Sequence, residues 1–231
     1  MMGAMRRLPT IALVAAAAAL AAAALAAGCG SQDDPATFPA PATPAASPPL
    51  TQAPASTPTG TAAADEALIA RLRAEGRGPR TTARLDDGTT VTLDPRARTL
   101  TVGDQTVAAG IGPTHVVVGD EGRVYVADTA GRSVLLFRTM PELKLWRRAG
   151  LDGSPYGTAI DREKGKLWVT LTDRNEAVQL TADGAPRVQR RFPTVRQPDA
   201  IAIDDAHGRV AILGADAVQA FDGYPDRRPA R

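Results

Sequence analysis

Across residues 113–221 the apolar positions fall in short alternating runs cut by polar turns, a period-2 pattern that predicts half-buried and buried β-strands rather than helices. The clearest unit is PTHVVVGDEGRVYVADTAGRSVLLFR, which starts at Pro113. It predicts strands over 116–118, 123–128 and 134–138, turns at Gly122 and Gly131, and a fourth strand over 143–148. The unit recurs at Pro155 as PYGTAIDREKGKLWVTLTDRNEAVQL and at Pro198 as PDAIAIDDAHGRVAILGADAVQAF. The turn glycines Gly122, Gly165 and Gly208 stand 43 residues apart. A fixed period of this size built from strands and turns predicts propeller blades. The second copy predicts strands over 158–161, 167–171, 177–181 and 187–192, and the third over 200–203, 210–213 and 217–221 without an outer strand.

Ahead of these units, residues 81–110 alternate polar and apolar positions around the turn pairs Asp87-Gly88 and Gly103-Asp104, which predicts a shortened first blade. The one helical stretch is 65–76: Asp65 is placed to cap it, Leu68, Ile69 and Leu72 share a face, and Gly76 suits a left-handed stop. This helix is expected against the end or rim of the domain. The fold class is therefore all-β, a propeller-like array of about four blades with three clear repeats. Each blade buries both faces against neighbours, so an open array leaves two apolar faces in water. Three closures stay open: a compact four-bladed ring in which 81–85 supplies the missing outer strand of the last blade, a homodimer that completes a larger ring, or a truncated product.

The N-terminus follows a different logic. Arg6 and Arg7 precede an apolar run over 11–27, the layout of an export signal. It ends in Leu25-Ala26-Ala27-Gly28-Cys29, which resembles the lipobox of bacterial lipoproteins, although Ala26 takes the usual leucine position. The resemblance implies cleavage before Cys29 and lipidation of its thiol, hence a membrane partner through a lipid anchor and a place on the extracytoplasmic face of the cell membrane. An uncleaved anchor and a spare thiol are the alternatives. Two or three acyl chains hold a protein at a bilayer stably, whereas one does so only marginally. Residues 31–63 are rich in proline, alanine and threonine, and cannot bury enough surface to offset their ordering entropy. They predict a disordered spacer reaching on the order of 100 Å in a polyproline conformation. The domain plan is thus 1–28 signal, 29–63 tether, 64–80 helix and connector, and 81–231 repeat domain.

Composition narrows the function classes. A formal net charge of +2 with no dense basic run does not indicate nucleic acid binding, and a single cysteine excludes an internal disulfide. VYVADTAGRSVLLF resembles the NHL type of propeller repeat, and the spacing of proline, aspartate and glycine after Pro155 and Pro198 resembles surface-layer propeller repeats. The two histidines, His115 and His207, invite comparison with streptogramin lyases, propellers that use histidine with bound magnesium. On the repeat, however, they sit at opposite ends of equivalent inner strands, about 23 Å apart at 3.3 Å per residue.

The ligand-contact candidates are His115, at the mouth of the central channel, and Tyr156 and Asp199, each directly after the proline that opens a unit. The bland alternative for His115 is a histidine satisfied by a neighbouring backbone group. Asp128, Asp161 and Asp204 read as turn carboxylates repeating with the blade period, and Tyr125, Trp146 and Trp168 as packing between blades. No nucleophile elbow, phosphate loop or metal-ligand cluster is present, so no catalytic residue, metal or cofactor is expected. The expected function is a binding module for a protein, peptide or cell-wall ligand. A lyase- or hydrolase-like enzyme using His115 is the alternative, and an inactive fragment the second.

Overall fold

The computed structural model describes residues 66–224; the export signal, Asp65, Cys29 and the tether lie outside the described residues. Helix α1 (Glu66–Glu75) precedes fifteen strands arranged as four antiparallel sheets. Sheet one holds β1 (Thr82–Arg84), β2 (Thr90–Asp94), β3 (Thr99–Val102) and β4 (Gln105–Ala108). Sheet two holds β5 (Pro113–Val118), β6 (Arg123–Asp128), β7 (Ser133–Arg138) and β8 (Lys144–Gly150). Sheet three holds β9 (Pro155–Asp161), β10 (Lys166–Leu171), β11 (Glu176–Thr181) and β12 (Val188–Pro193). The fourth has three strands, β13 (Ala200–Asp204), β14 (Arg209–Leu213) and β15 (Val218–Asp222). Each sheet is an up-and-down meander, so the strands are consecutive blades of a propeller-like array.

The repeat glycines occupy equivalent hairpins, between the first and second strands of each blade. Gly88, Gly122, Gly165 and Gly208 have φ of 86°, 67°, 57° and 69°, a left-handed conformation that glycine adopts without a Cβ penalty. A second equivalence is carried by backbone. The left-handed residues Arg98, Arg132 and Asn175 each present a carbonyl to an amide that leaves the same blade, Ala109 (2.8 Å), Leu151 (2.7 Å) and Thr194 (2.9 Å). Blades are also pinned to one another: Thr129 Oγ1 donates to the Pro155 carbonyl (2.6 Å), and Thr172 Oγ1 to the Pro198 carbonyl (2.9 Å).

Strand alternation decides which face meets which neighbour, because successive side chains point to opposite sides of a sheet. Val116 and Val118 face the first blade with Val91, Leu93 and Leu100, while Val117, Tyr125 and Leu136 face the third with Leu167, Val169 and Leu180. Trp168, Ala177 and Phe192 then meet Ile201, Ile203, Val210, Ile212 and Phe221 of the fourth. Tyr125 and Trp168 occupy equivalent positions and are fully buried between blades, Tyr125 donating its hydroxyl to the Ala182 carbonyl at 2.5 Å.

The two ends of the array differ from the middle and from each other. On the first blade, Val91 and Leu93 point inward while Thr90, Thr92 and Asp94 are exposed, and the register aligns Thr82, Thr92, Thr101 and Thr106 in one row across the outer face. That face is polar. On the fourth blade the outer face is built from small residues, Ala200, Ala202 and Ala211, with Leu213 and Val218, and α1 lies on it through Leu68 and Leu72. Small side chains let the helix approach closely, and Gly76, with φ 74°, ends it by donating to the Leu72 carbonyl (3.3 Å). Among the described residues, neither end offers a bare apolar sheet face.

Two expectations are corrected. Residues 81–85 do not complete the last blade: Thr82 pairs with Thr92 and Arg84 with Thr90, so this segment is the inner strand of the first sheet. A hairpin glycine three residues beyond it, Gly88, directs the chain back onto itself, which local pairing favours over a distant blade. Asp128 is not the equivalent of Asp161 and Asp204. It ends the second strand of its blade, whereas the other two end first strands.

Replacing Leu72 with alanine removes a fully buried side chain from the end cap. The expected cost is about 2–5 kcal/mol in urea unfolding of the full chain, whereas Thr92→Ala on the exposed outer face of the first blade is expected to change stability by roughly 0.5 kcal/mol or less.

Candidate functional site

The first strands β5, β9 and β13 open at one rim with the segments that carry the three proposed contact residues. The fold brings these together. The His115 and Tyr156 rings meet edge to face with centroids 4.6 Å apart. Asp199 lies on the next blade, where its carboxylate pairs with the Arg77 guanidinium. Glycine makes the layer possible: a Cβ at Gly157 would stand 2.7 Å from the Asp199 carbonyl oxygen.

The cluster is nevertheless covered. His115, Tyr156 and Asp199 keep only 5%, 2% and 3% of their surface. The connector from α1 to β1 crosses them: Arg77 holds Asp199, the Gly78 backbone hydrogen-bonds His115, and the Arg80 carbonyl accepts the Val116 amide at 2.9 Å. Burial drives the His115 pKa down to about 3, the Arg80 charge adds to the effect, and the bond to Gly78 opposes it. The imidazole is therefore neutral near neutral pH, and its Nδ1 has no hydrogen-bond partner. Burial raises the Tyr156 pKa, Asp199 contributes in the same direction, and Arg77 opposes.

His207 is placed elsewhere. It is exposed in the β13–β14 hairpin at the opposite rim, with Nδ1 2.6 Å from Asp204 Oδ2. The other acidic candidates are occupied with structural bonds. Asp128 accepts the amides of Ile111, Gly112 and Gly131. Asp161, wholly buried, accepts the Lys164 amide, the Lys164 ammonium (2.9 Å) and the Tyr224 hydroxyl (2.6 Å). No group of acidic, histidine or cysteine side chains among the described residues is arranged to hold a metal ion. Trp146 lies on the outer strand of its blade with the Arg138 guanidinium 3.4 Å from its ring centroid.

What stays open is the channel between the inner strands, a cleft of about 590 Å³. Its walls are Val116–Val118 of β5, with residues 159–160 of β9 and 201–203 of β13. Four arginines line it: Arg71 from α1, Arg80 from the connector, Arg84 from β1, and Arg162 from the β9–β10 turn. Arg71 donates to the Ile203 carbonyl, and Arg162 to the Val118 carbonyl (3.2 Å) and to Asp86 (2.5 Å). Asp205 is the one carboxylate in the lining. Burial raises its pKa, Asp161 adds to this, and its Oδ1 has no partner. The four arginines come from four segments with no common period, so nothing in the repeat pattern singled them out.

No protein-family model matches the chain, and no curated protein shows significant similarity to it. Solved structures do resemble it in fold. They include hydrazine synthase from Kuenenia stuttgartiensis (TM-score 0.56, 16% identity, covering 63% of this chain and 46% of that one). A functionally unknown protein from Desulfotomaculum acetoxidans aligns with TM-score 0.55 at 12% identity, over 62% of this chain and 51% of that one. An inactive H270A variant of virginiamycin B lyase from Staphylococcus aureus aligns with TM-score 0.47 at 16% identity, over 63% and 55%. The chain thus spans about half the length of the structures it matches. At these identities the likeness speaks to the propeller fold alone.

The depressed pKa of His115 makes a prediction about stability. In the unfolded chain this histidine takes up a proton near pH 6.5, whereas in the folded chain it does so only near pH 3. Its contribution is complete above pH 6.5 and is lost as pH falls toward 3. His115→Leu should therefore flatten the decline in melting temperature between pH 7 and pH 5; parallel profiles for the two proteins would refute the neutral, desolvated state.

Proposed function

We propose that the chain is a lipid-anchored extracytoplasmic protein, held to the membrane through Cys29, whose NHL-like propeller domain is a binding module rather than an enzyme. What supports the binding reading is the contrast between the two ends of the channel. At one rim the only buried histidine is neutral, nearly inaccessible and sealed by the connector. At the other, a cleft of about 590 Å³ stands open. That volume lies within the range of about 300–1,000 Å³ common for small-ligand sites. General acid or base catalysis needs a titrating group within reach of substrate, and burial keeps His115 from that role. The ligand is a small molecule, or the end of a peptide or cell-wall polymer, that enters the channel.

The anchor and the binding role are tested separately. Mass spectrometry of detergent-extracted full-length protein should find the mature N-terminus at Cys29 carrying diacylglycerol, and Cys29→Ala should lose the acyl mass. An unmodified Cys29 thiol in membrane-extracted protein would defeat the anchor. For binding, a thermal-shift panel of anions, peptides and soluble wall fragments should contain at least one class that stabilises the protein without being turned over. A panel with no stabilising class would defeat the module.

A further inference from the structure

We propose that the open channel is an anion site, taking a multiply charged oxyanion of the phosphate or polycarboxylate class; this rests on the binding-module reading and names its ligand chemistry. The lining sets four guanidiniums against a single carboxylate. Such an excess is not inherited from the chain as a whole, whose formal net charge is only +2. The fold concentrates it. Arg71 and Arg84 are exposed, while Arg80 and Arg162 are half-buried. They surround a cleft walled by the apolar strands β5, β9 and β13.

Charges of one sign in a concave, low-dielectric wall focus their field into the cleft and raise the local concentration of the opposite sign. Guanidinium is suited to the task. It stays ionised throughout the working range, and it offers five donors in a planar fork that matches the paired oxygens of carboxylate and phosphate. The Arg71 and Arg162 contacts to the Ile203 and Val118 carbonyls and to Asp86 employ only part of that donor set.

Placement in depth strengthens the case. Arg80 belongs to the segment that seals the far rim, and its charge reaches His115 behind it, so it stands at the closed end of the funnel. Arg162 stands at the turn end, tied to Asp86 and 3.9 Å from Asp120. There its charge is shared with those two carboxylates, so the excess an entering anion meets comes from Arg71 and Arg84, with Arg80 deeper in the cleft. Asp205, whose buried Oδ1 lacks a partner, disfavours an anion from within the lining, and Asp86 and Asp120 do so from the turn end. Burial raises its pKa and Asp161 adds to this, while Lys164 and Arg71 oppose.

The test uses full-length protein with two probes, pyrophosphate and citrate, against sodium chloride at matched ionic strength. Either probe should raise the melting temperature in a saturable way, and the better of the two identifies the oxyanion type. Arg71→Gln/Arg84→Gln should weaken the apparent affinity about tenfold or more, since charge-assisted hydrogen bonds are lost. The control Arg147→Gln/Arg187→Gln removes the same charge from exposed positions on β8 and just before β12 and should leave affinity within about twofold. Circular dichroism confirms that both variants fold. The proposal is overturned if neither probe stabilises the protein beyond chloride, or if the two double variants lose affinity equally. Stabilisation by an uncharged peptide or glycan instead would overturn the anion site while leaving the binding module standing.

Discussion

Every sheet in this domain is apolar on two sides or is made polar on one, and the rest of the structure depends on how those faces are covered. A middle blade such as β5–β8 sends Val116 and Val118 to one neighbour and Val117 and Tyr125 to the other, so it has no solvent face to lose. Removing apolar surface from water stabilises by roughly 25 cal/mol per Å², and a stacked pair obtains this on both partners at once. The terms that remain are the ends. In arrays of this kind end units need a polar outer face or a cap, and the chain uses one device at each end. The first blade carries threonines on its outer face; the fourth carries alanines and a helix over them.

The helical cap has a consequence for the channel. To lie on the fourth blade and still lead into the first, the chain must cross the inner strands after Gly76, and residues 76–80 do so over His115 and Asp199. One short segment therefore closes a rim and delivers Arg80 to the interior. The same cap carries Arg71 to the Ile203 carbonyl. The solution to an end-face problem is also what assembles half of the cationic lining.

The periodic part of this arrangement was readable from residues alone because its causes are local and repeated. Glycines with left-handed φ recur at each first hairpin, and strand alternation follows from the pleat, so blades two to four match their expected strands within a few residues. The one-sided patterns were present too: TVTLD states that the first blade has a solvent face, and AIAI that the fourth has a face of small residues. What could not be read was anything that depends on which segments become neighbours across the channel. Residues 81–85 were open to pairing with the last blade until the register with β2 placed them inside the first. Arg71, Arg80, Arg84 and Arg162 lie in a helix, a connector, a strand and a turn, and only the fold makes them one group. His115, Tyr156 and Asp199 do meet, but their burial follows from a connector whose path the sequence does not specify.

That burial also bears on which end of the channel can act. A neutral histidine under a hydrogen-bonded connector exchanges protons only if the connector opens, and opening would break the Arg77–Asp199 pair and the Arg80–Val116 backbone bond together. Exposing the partnered Asp199 carboxylate and the apolar Tyr156 ring adds to that cost. At the turn end no covering segment has to move, because Arg71 and Arg84 are already exposed residues. A ligand binding there spends its interaction energy on the guanidiniums rather than on reorganising the protein, which is the condition under which a preformed cleft binds well. Preorganisation thus favours the turn end of the channel, and the conformational cost disfavours the histidine rim.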